Sequence, residues 1–177
     1  MATFLWRLTG ALMLRPAAYE DVEHDHGATM QAALVVALSS LAAGIGAFNL
    51  QHGNALRLAV VVVLAFVLWA AWAMLTYQIG MWALPTPQTE ATFGQLLRTI
   101  GFATAPGMFR VAALIPGRAT AAFAVTSVWM LLAMIVAVRQ ALDYTSTWRA
   151  IGVCVLGWGL TIAMAIAIGI VFGQGVS

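Results

Sequence analysis

Four stretches of this sequence run for twenty or more residues with no formal charge: Gly27–Leu56, Leu58–Thr89, Ala119–Val138 and everything beyond Arg149. A helix that crosses a bilayer needs about 20 consecutive, mostly apolar residues, so each stretch can supply one. The expected spans are residues 29–49, 57–79, 119–139 and 149–172. Only 8% of the residues are charged, against roughly 25% in a soluble domain. Such a chain cannot wet a globular surface of its own size, and its principal solvent must be lipid. An ordinary cytosolic enzyme and a disordered tail are excluded on that ground. The formal net charge of +2 is too small to argue for a nucleic-acid partner.

Between the second and third of these stretches lies a harder segment, residues 92–115, which contains Arg98 and Arg110. Each Arg lies near one end, and an Arg stem can run along a helix while its guanidinium reaches the nearer headgroups. Read this way, 92–115 is a fifth span, kinked at Pro106, which cannot donate its backbone hydrogen bond. The competing reading is a re-entrant or interfacial hairpin broken at Ala105-Pro106-Gly107. Pro85-Thr86-Pro87 closes the preceding connection, Thr89-Glu90 supplies a cap and a first-turn acid, and Pro116-Gly117 turns the chain into the next span. Ser146 or Thr147 can cap the last span. Trp82 and Trp148 fall where an interfacial aromatic belt belongs.

The fold class expected is therefore all-α: a five-span transmembrane domain over residues 28–177, preceded by an N-terminal juxtamembrane segment, 1–27. Residues 3–14 form a short interfacial helix with Phe4, Leu5, Leu8 and Leu12 on one side and Arg7 as its main polar exception. Pro16 starts a second short helix that holds Glu20, Asp21, Glu23 and Asp25, four of the six acids in the chain. The first apolar run is broken by Arg7 and ends at Arg15-Pro16, unlike a cleaved secretory signal. Counting Arg on the two sides of a five-span bundle sets Arg7, Arg15, Arg98, Arg139 and Arg149 against Arg57, Arg110 and Arg118. That bias places the N-terminus in the cytoplasm and the C-terminus outside. All eight basic residues are Arg, which suits a GC-rich bacterial coding sequence and hence an inner membrane.

Few side chains offer chemistry. Cys154 is the single cysteine, so neither an intramolecular disulfide nor a cysteine-based metal site can form. His24, Asp25 and His26 are adjacent, but alternate residues of a helix point apart, and His52 falls on the other side of the membrane; no metal site is expected. The serines sit in no nucleophile motif, and Gly44-Ile45-Gly46 lacks the strand and Lys of a phosphate loop. No enzyme and no cofactor is expected. Two polar groups remain. Thr92, Gln95, Arg98 and Thr99 share one face at helical spacing, either lining a water-filled path or bonding to a neighbouring helix. Arg139, Asp143, Tyr144 and Arg149 cluster at the cytoplasmic turn between the last two spans, where Arg139 and Asp143 can pair at i, i+4. That turn is a candidate contact for a partner protein or an anionic lipid. Ala42 with Gly46, and Ala165 with Gly169, stand at the spacing of close helix seams.

Leu14-Arg15-Pro16-Ala17-Ala18-Tyr19, Ala91 through Thr99, Val128-Trp129-Met130 through Arg139, and Thr145 through Ala150 together make the chain resemble bacterial members of the Yip family. These are five-span membrane proteins named for interaction with Ypt/Rab GTPases in eukaryotes. The resemblance implies five spans, a cytoplasmic N-terminus and a role by interaction rather than chemistry. The expected function is that of a membrane-organising scaffold or an accessory subunit of a larger inner-membrane complex. Its partners would be membrane lipids and other integral membrane proteins, or further copies of itself. The alternative is a small oligomeric transporter or channel, motivated by the polar face and Pro106; the absence of a carboxylate deep in any span and of a repeated half counts against it.

Overall fold

The computed structural model describes residues 2–52, 55–87, 89 and 91–173, and among them the chain forms helices and turns with no strand. Two short helices, α1 (Ala2–Leu12) and α2 (Pro16–His24), precede α3 (Ala28–His52) and α4 (Ala55–Gln78), which ends in a π-helical turn, Ile79–Ala83. After a loop come α5 (Phe93–Ala103), a 3-10 segment (Ala105–Leu114), α6 (Ala119–Ala141) and α7 (Thr147–Gly173). Three stretches are long and apolar enough to cross a membrane: Ala28–Ala47, Leu58–Ala83 and Ala119–Ala141, with mean hydropathies of 1.7, 2.7 and 2.3. The described apolar part of α7, Thr147–Ala163, is shorter, and residues 93–114 are broken into two pieces. Three helices therefore meet the requirement of length and hydropathy among the described residues.

The segment expected to kink at Pro106 instead changes helix type. α5 stops at Thr104, whose hydroxyl donates to the Gly101 carbonyl at 2.7 Å. Pro106 then occupies the first turn of the 3-10 segment, where its missing N–H costs no hydrogen bond. Free-standing 3-10 runs rarely exceed 3–4 residues. Here ten residues are held in that form because they are wedged between α3 and α6. Gly107 sits against Ser39 and Met130, and Gly46 against the Arg110 carbonyl. Since Gly101 faces Ala32 of the same helix, the chain from Gly101 to Ala113 advances alongside α3 and in the same direction.

α5 begins later than the sequence suggests. Thr92, not Thr89, is the N-cap: its hydroxyl accepts the Gln95 N–H at 3.3 Å, and the Gln95 side chain accepts the Thr92 N–H at 2.6 Å. This reciprocal Thr-x-x-Gln pair satisfies two helix-end donors at once, which a lone Thr89 cannot do. Glu90 lies outside the described residues.

α1 and α2 form a tight hairpin. Leu14 takes a left-handed conformation (φ 56°), and Arg15 N–H and Leu14 N–H return to the Gly10 and Ala11 carbonyls at 2.9 and 3.1 Å. This pairing is the Schellman ending of a helix. Gly10 lets the Ala18 methyl of α2 approach so closely that a Cβ would collide with it. The hairpin is packed onto the bundle. Phe4, Leu8, Ala11 and Leu12 pack into a core with Tyr19, Val22, Ala32, Phe102 and Ala133, while Leu5, Trp6 and Met13 face outward. The Trp129 indole N–H donates to the Leu12 carbonyl at 2.9 Å and ties α1 to α6. A second core joins α5, the end of α6 and the start of α7 around Leu96, Ile100, Leu142 and Val153. Both cores lie toward the end of the bundle where α3, α5 and α7 begin. α4 faces outward: 6% of its most apolar window is buried, against 33% in α3.

Candidate functional site

The residues that join the hairpin to the bundle form a connected polar cluster. Arg7, 4% exposed, donates to Asp21 at 2.6 Å, reaches Asp25 at 2.8 Å and donates to the Gln31 side chain of α3 at 3.1 Å. Asp21 and Asp25 are four residues apart and so share one face of α2, and both grip the same guanidinium. Arg7 and the Gly27 N–H together hold the Asp25 carboxyl below its ordinary range. In the sequence Arg7 stands out only as the main polar exception of an apolar helix; the signal for its role was the i, i+4 acid pair across a turn from it.

Arg98 approaches the same unit from α5. Its Nε donates to the Val22 carbonyl at 3.2 Å and its Nη2 to the Glu23 carbonyl at 2.5 Å. These are carbonyls of the last turn of α2, which have no partner within their helix and carry partial negative charge. A buried cation there is matched by the helix end and not by a carboxylate. Beside it, the Gln95 amide donates to the Glu23 carboxyl at 2.9 Å. Glu23 is 4% exposed. Burial raises its pKa to about 7, the Asp143 carboxylate opposes ionisation further, and His24 and Arg98 partly offset this. His24 itself is shifted upward, chiefly because its ring bonds the Glu20 carbonyl at 2.8 Å.

Of the polar face expected on the third span, Gln95 and Arg98 therefore bond to α2. Thr92 caps its own helix, and Thr99 donates back to the Gln95 and Leu96 carbonyls. None of the four borders the large cleft between α3, α4 and α6.

The expected cluster at the turn after α6 is arranged differently from its sequence reading. Asp143 is left-handed (φ 50°), and the Tyr144 and Asp143 N–H groups close another Schellman ending onto Arg139 and Gln140. That geometry turns the exposed Asp143 away from Arg139, so the i, i+4 pair does not form. Arg139 instead folds over the turn and donates to the Tyr144 carbonyl at 3.2 Å, the Thr145 carbonyl at 3.3 Å and the Thr147 hydroxyl at 3.1 Å. The Tyr144 hydroxyl donates to the Leu84 carbonyl at 2.8 Å, and Arg149 to the Pro85 carbonyl at 3.2 Å. Turn and loop are thereby locked together, with Trp82 and Trp148 both about 80% exposed beside them.

His24 and His26 are exposed, and among the described residues no group of three or more His, Cys, Asp or Glu side chains is placed to hold a metal ion. The His52 side chain and the Ala165–Gly169 pair lie outside the described side chains, and the Ala42–Gly46 seam is the place where α3 meets the 3-10 segment. Compared with protein-family models, curated proteins and solved structures, the chain matches none.

Proposed function

We propose that this chain is a non-catalytic integral membrane protein of the bacterial inner membrane, acting through helix–helix and lipid contacts as a scaffold or as an accessory subunit of a larger complex. The observation that carries this reading is the use of its polar side chains. Arg7, Gln95, Arg98, Arg139, Tyr144 and Arg149 are each bonded to a carboxyl group, carbonyl or amide of the protein's own turns and helix ends. The long helices meanwhile present Val, Leu and Trp outward. A protein that worked on a polar solute would keep such groups free on a hydrated path. Here they hold the bundle together and leave an apolar exterior suited to other membrane helices.

The reading includes five crossings with the N-terminus in the cytoplasm, as the resemblance to the Yip family implies. Residues 93–114, though broken, are long enough: eleven α-helical residues rise about 16 Å and ten 3-10 residues about 20 Å, against roughly 30 Å of hydrocarbon. Trp82 and Trp148 at one end suit an interfacial belt. The competing reading, a small oligomeric transporter or channel, needs Arg98 and Gln95 on a water-filled route.

The test is purification from the native membrane in mild detergent, with mass spectrometry of what accompanies the protein against an untagged control. A stoichiometric membrane partner is the expected result. A clean homo-oligomer, followed by an Arg98-dependent solute flux in liposomes, would overturn the scaffold reading in favour of transport.

A further inference from the structure

One arginine differs from those just described. Arg110, in the 3-10 segment, donates to the hydroxyls of Thr126 at 3.3 Å and Ser127 at 3.2 Å, and its guanidinium lies 5.3 Å from the centre of the Phe123 ring. Among the described residues no carboxylate pairs with it. Neutral hydroxyls at those distances leave most of its five N–H donors available. Its backbone is level with Gly46 of α3, about 27 Å along the helix from Ala28 at 1.5 Å per residue. In the membrane reading proposed above, on which this inference rests, that height is the headgroup boundary opposite the N-terminus.

Arg110 also borders a cleft of about 990 Å³. The size is at the upper end of ligand pockets, roughly 300–1,000 Å³. Val36, Ala43, Val61, Ala65, Trp69 and Met130 are among its walls, which are almost wholly apolar. Leu64, Leu68 and Leu160 on its rim are about half exposed or more, so the cleft opens sideways out of the bundle, where α4 stands away from α6. A long apolar slot open to the bilayer, with one uncompensated cation at headgroup height, is complementary to a molecule with an anionic head and a hydrocarbon tail.

We infer that the cleft binds a single glycerophospholipid, its phosphate on the Arg110 guanidinium and an acyl chain between α3, α4 and α6. Charge complementarity selects the occupant: a transmembrane helix of a partner would fill the slot but leave the guanidinium unanswered. A phosphate oxygen would accept directed hydrogen bonds from Arg.

The experiment is native mass spectrometry of the full chain in a neutral detergent, titrated with phosphatidylglycerol. One saturable equivalent is expected. Arg110→Gln weakens its retention about tenfold, the loss of one good charge-assisted bond. Ala65→Phe, which fills the slot and leaves Arg110 in place, abolishes retention, and a change at the exposed Arg15 at the other end, Arg15→Gln, leaves it unchanged. Circular dichroism and gel filtration of each variant establish that it is folded. Equal retention by wild type and Arg110→Gln would overturn the inference, as would oleate bound as tightly as phosphatidylglycerol or displacement of the lipid by millimolar inorganic phosphate. Recovery of the protein in carbonate-washed membranes is scored separately. Loss of that recovery sinks the membrane reading, whereas membrane recovery without lipid retention sinks only the cleft.

Discussion

Glu23→Gln isolates the one acid that, among the described residues, the fold buries against its own preference. The carboxyl group is closed in by α5, accepts one hydrogen bond from Gln95 and faces Asp143, Glu20, His24 and Arg98. Raised from 4.5 to about 7, it is protonated in the folded protein over a range where the unfolded chain ionises. The stability it contributes is therefore fully present below about pH 4.5 and lost as pH rises through about 7. A displacement of that size corresponds to up to about 3 kcal/mol, at 1.36 kcal/mol per tenfold. The exposed and solvent-screened neighbours Asp143 and His24 reduce it to about 1–2 kcal/mol. Gln keeps the acceptor for Gln95 and cannot ionise. Thermal melts in detergent from pH 5 to pH 8.5 should show wild type and Glu23→Gln nearly coincident at pH 5. The variant should be the more stable at pH 8.5, by roughly 2–8 °C for a chain of this size. His24, shifted upward by its bond to the Glu20 carbonyl, adds a pH dependence of the same sign, so the readout is the difference between the two proteins and not the slope of either. A variant that melts lower than wild type at pH 8.5 would show that the ionised carboxylate is a structural ion pair and refute the reasoning.

The other predictions concern neighbouring contacts. Asp143→Asn retains tolerance of the left-handed turn but removes the charge that opposes Glu23 ionisation, so the pH difference just described should shrink and move to lower pH; an unmoved midpoint counts against that coupling. Arg98→Ala deletes both bonds to the end of α2 and should lower stability by about 2–3 kcal/mol. It should also open the hairpin to limited proteolysis between Leu12 and Ala28, and a protease pattern like wild type would dismiss the clamp. Gly46→Leu brings a side chain against the Arg110 carbonyl, 2.5 Å from where its Cβ would stand, and Ala113 at 3.2 Å. Overpacking of this kind costs about 1–3 kcal/mol, and an unchanged melting temperature would show that the 3-10 segment moves aside.

The long apolar helices could be read from the chain because charge-free runs depend on one-dimensional composition, which the bilayer constrains directly. The fate of residues 92–115 was only half legible. Pro106 announces a break, but the choice of a long 3-10 run depends on Gly46 and Gly107 bringing α3 close, contacts some sixty residues apart in sequence. The polar face of α5 was legible as a set of residues and not as a destination. Helical spacing puts Gln95 and Arg98 on one side, yet only the tertiary fold brings the end of α2, more than seventy residues earlier, to that side. Arg139 and Asp143 show the opposite failure. The i, i+4 rule holds within a helix, and Asp143 lies just beyond the end of one, where a left-handed residue redirects the side chain.

The two ends of the bundle solve the problem of charge in different ways, and that difference bears on function. At the N-terminal end, Arg98 meets carbonyls that the end of α2 leaves without partners, Arg139 and Arg149 meet carbonyls of turns and loops, and Arg7 meets two carboxylates of α2, so each of these cations completes a structure that already exists. Such an arrangement resists hydration: to expose Arg98 to a water path, α2 must detach and leave its own terminal carbonyls unpaired. At the opposite end, Arg110 sits on a 3-10 segment whose carbonyls are turned into its own turns and into α3, and among the described residues it finds two hydroxyls and the Phe123 ring but no carboxylate. A charge kept at headgroup height without a protein counterpart can be neutralised by the bilayer at little cost, whereas the same charge inside a solute channel would raise a barrier to cations. The asymmetry suits a protein anchored by lipid at one face and presenting a rigid, internally bonded hairpin at the other. It predicts that Arg110→Gln alters lipid retention without altering the proteolytic protection of the hairpin, while Arg98→Ala does the reverse; coupled loss of both in either variant would show that the two ends form one unit.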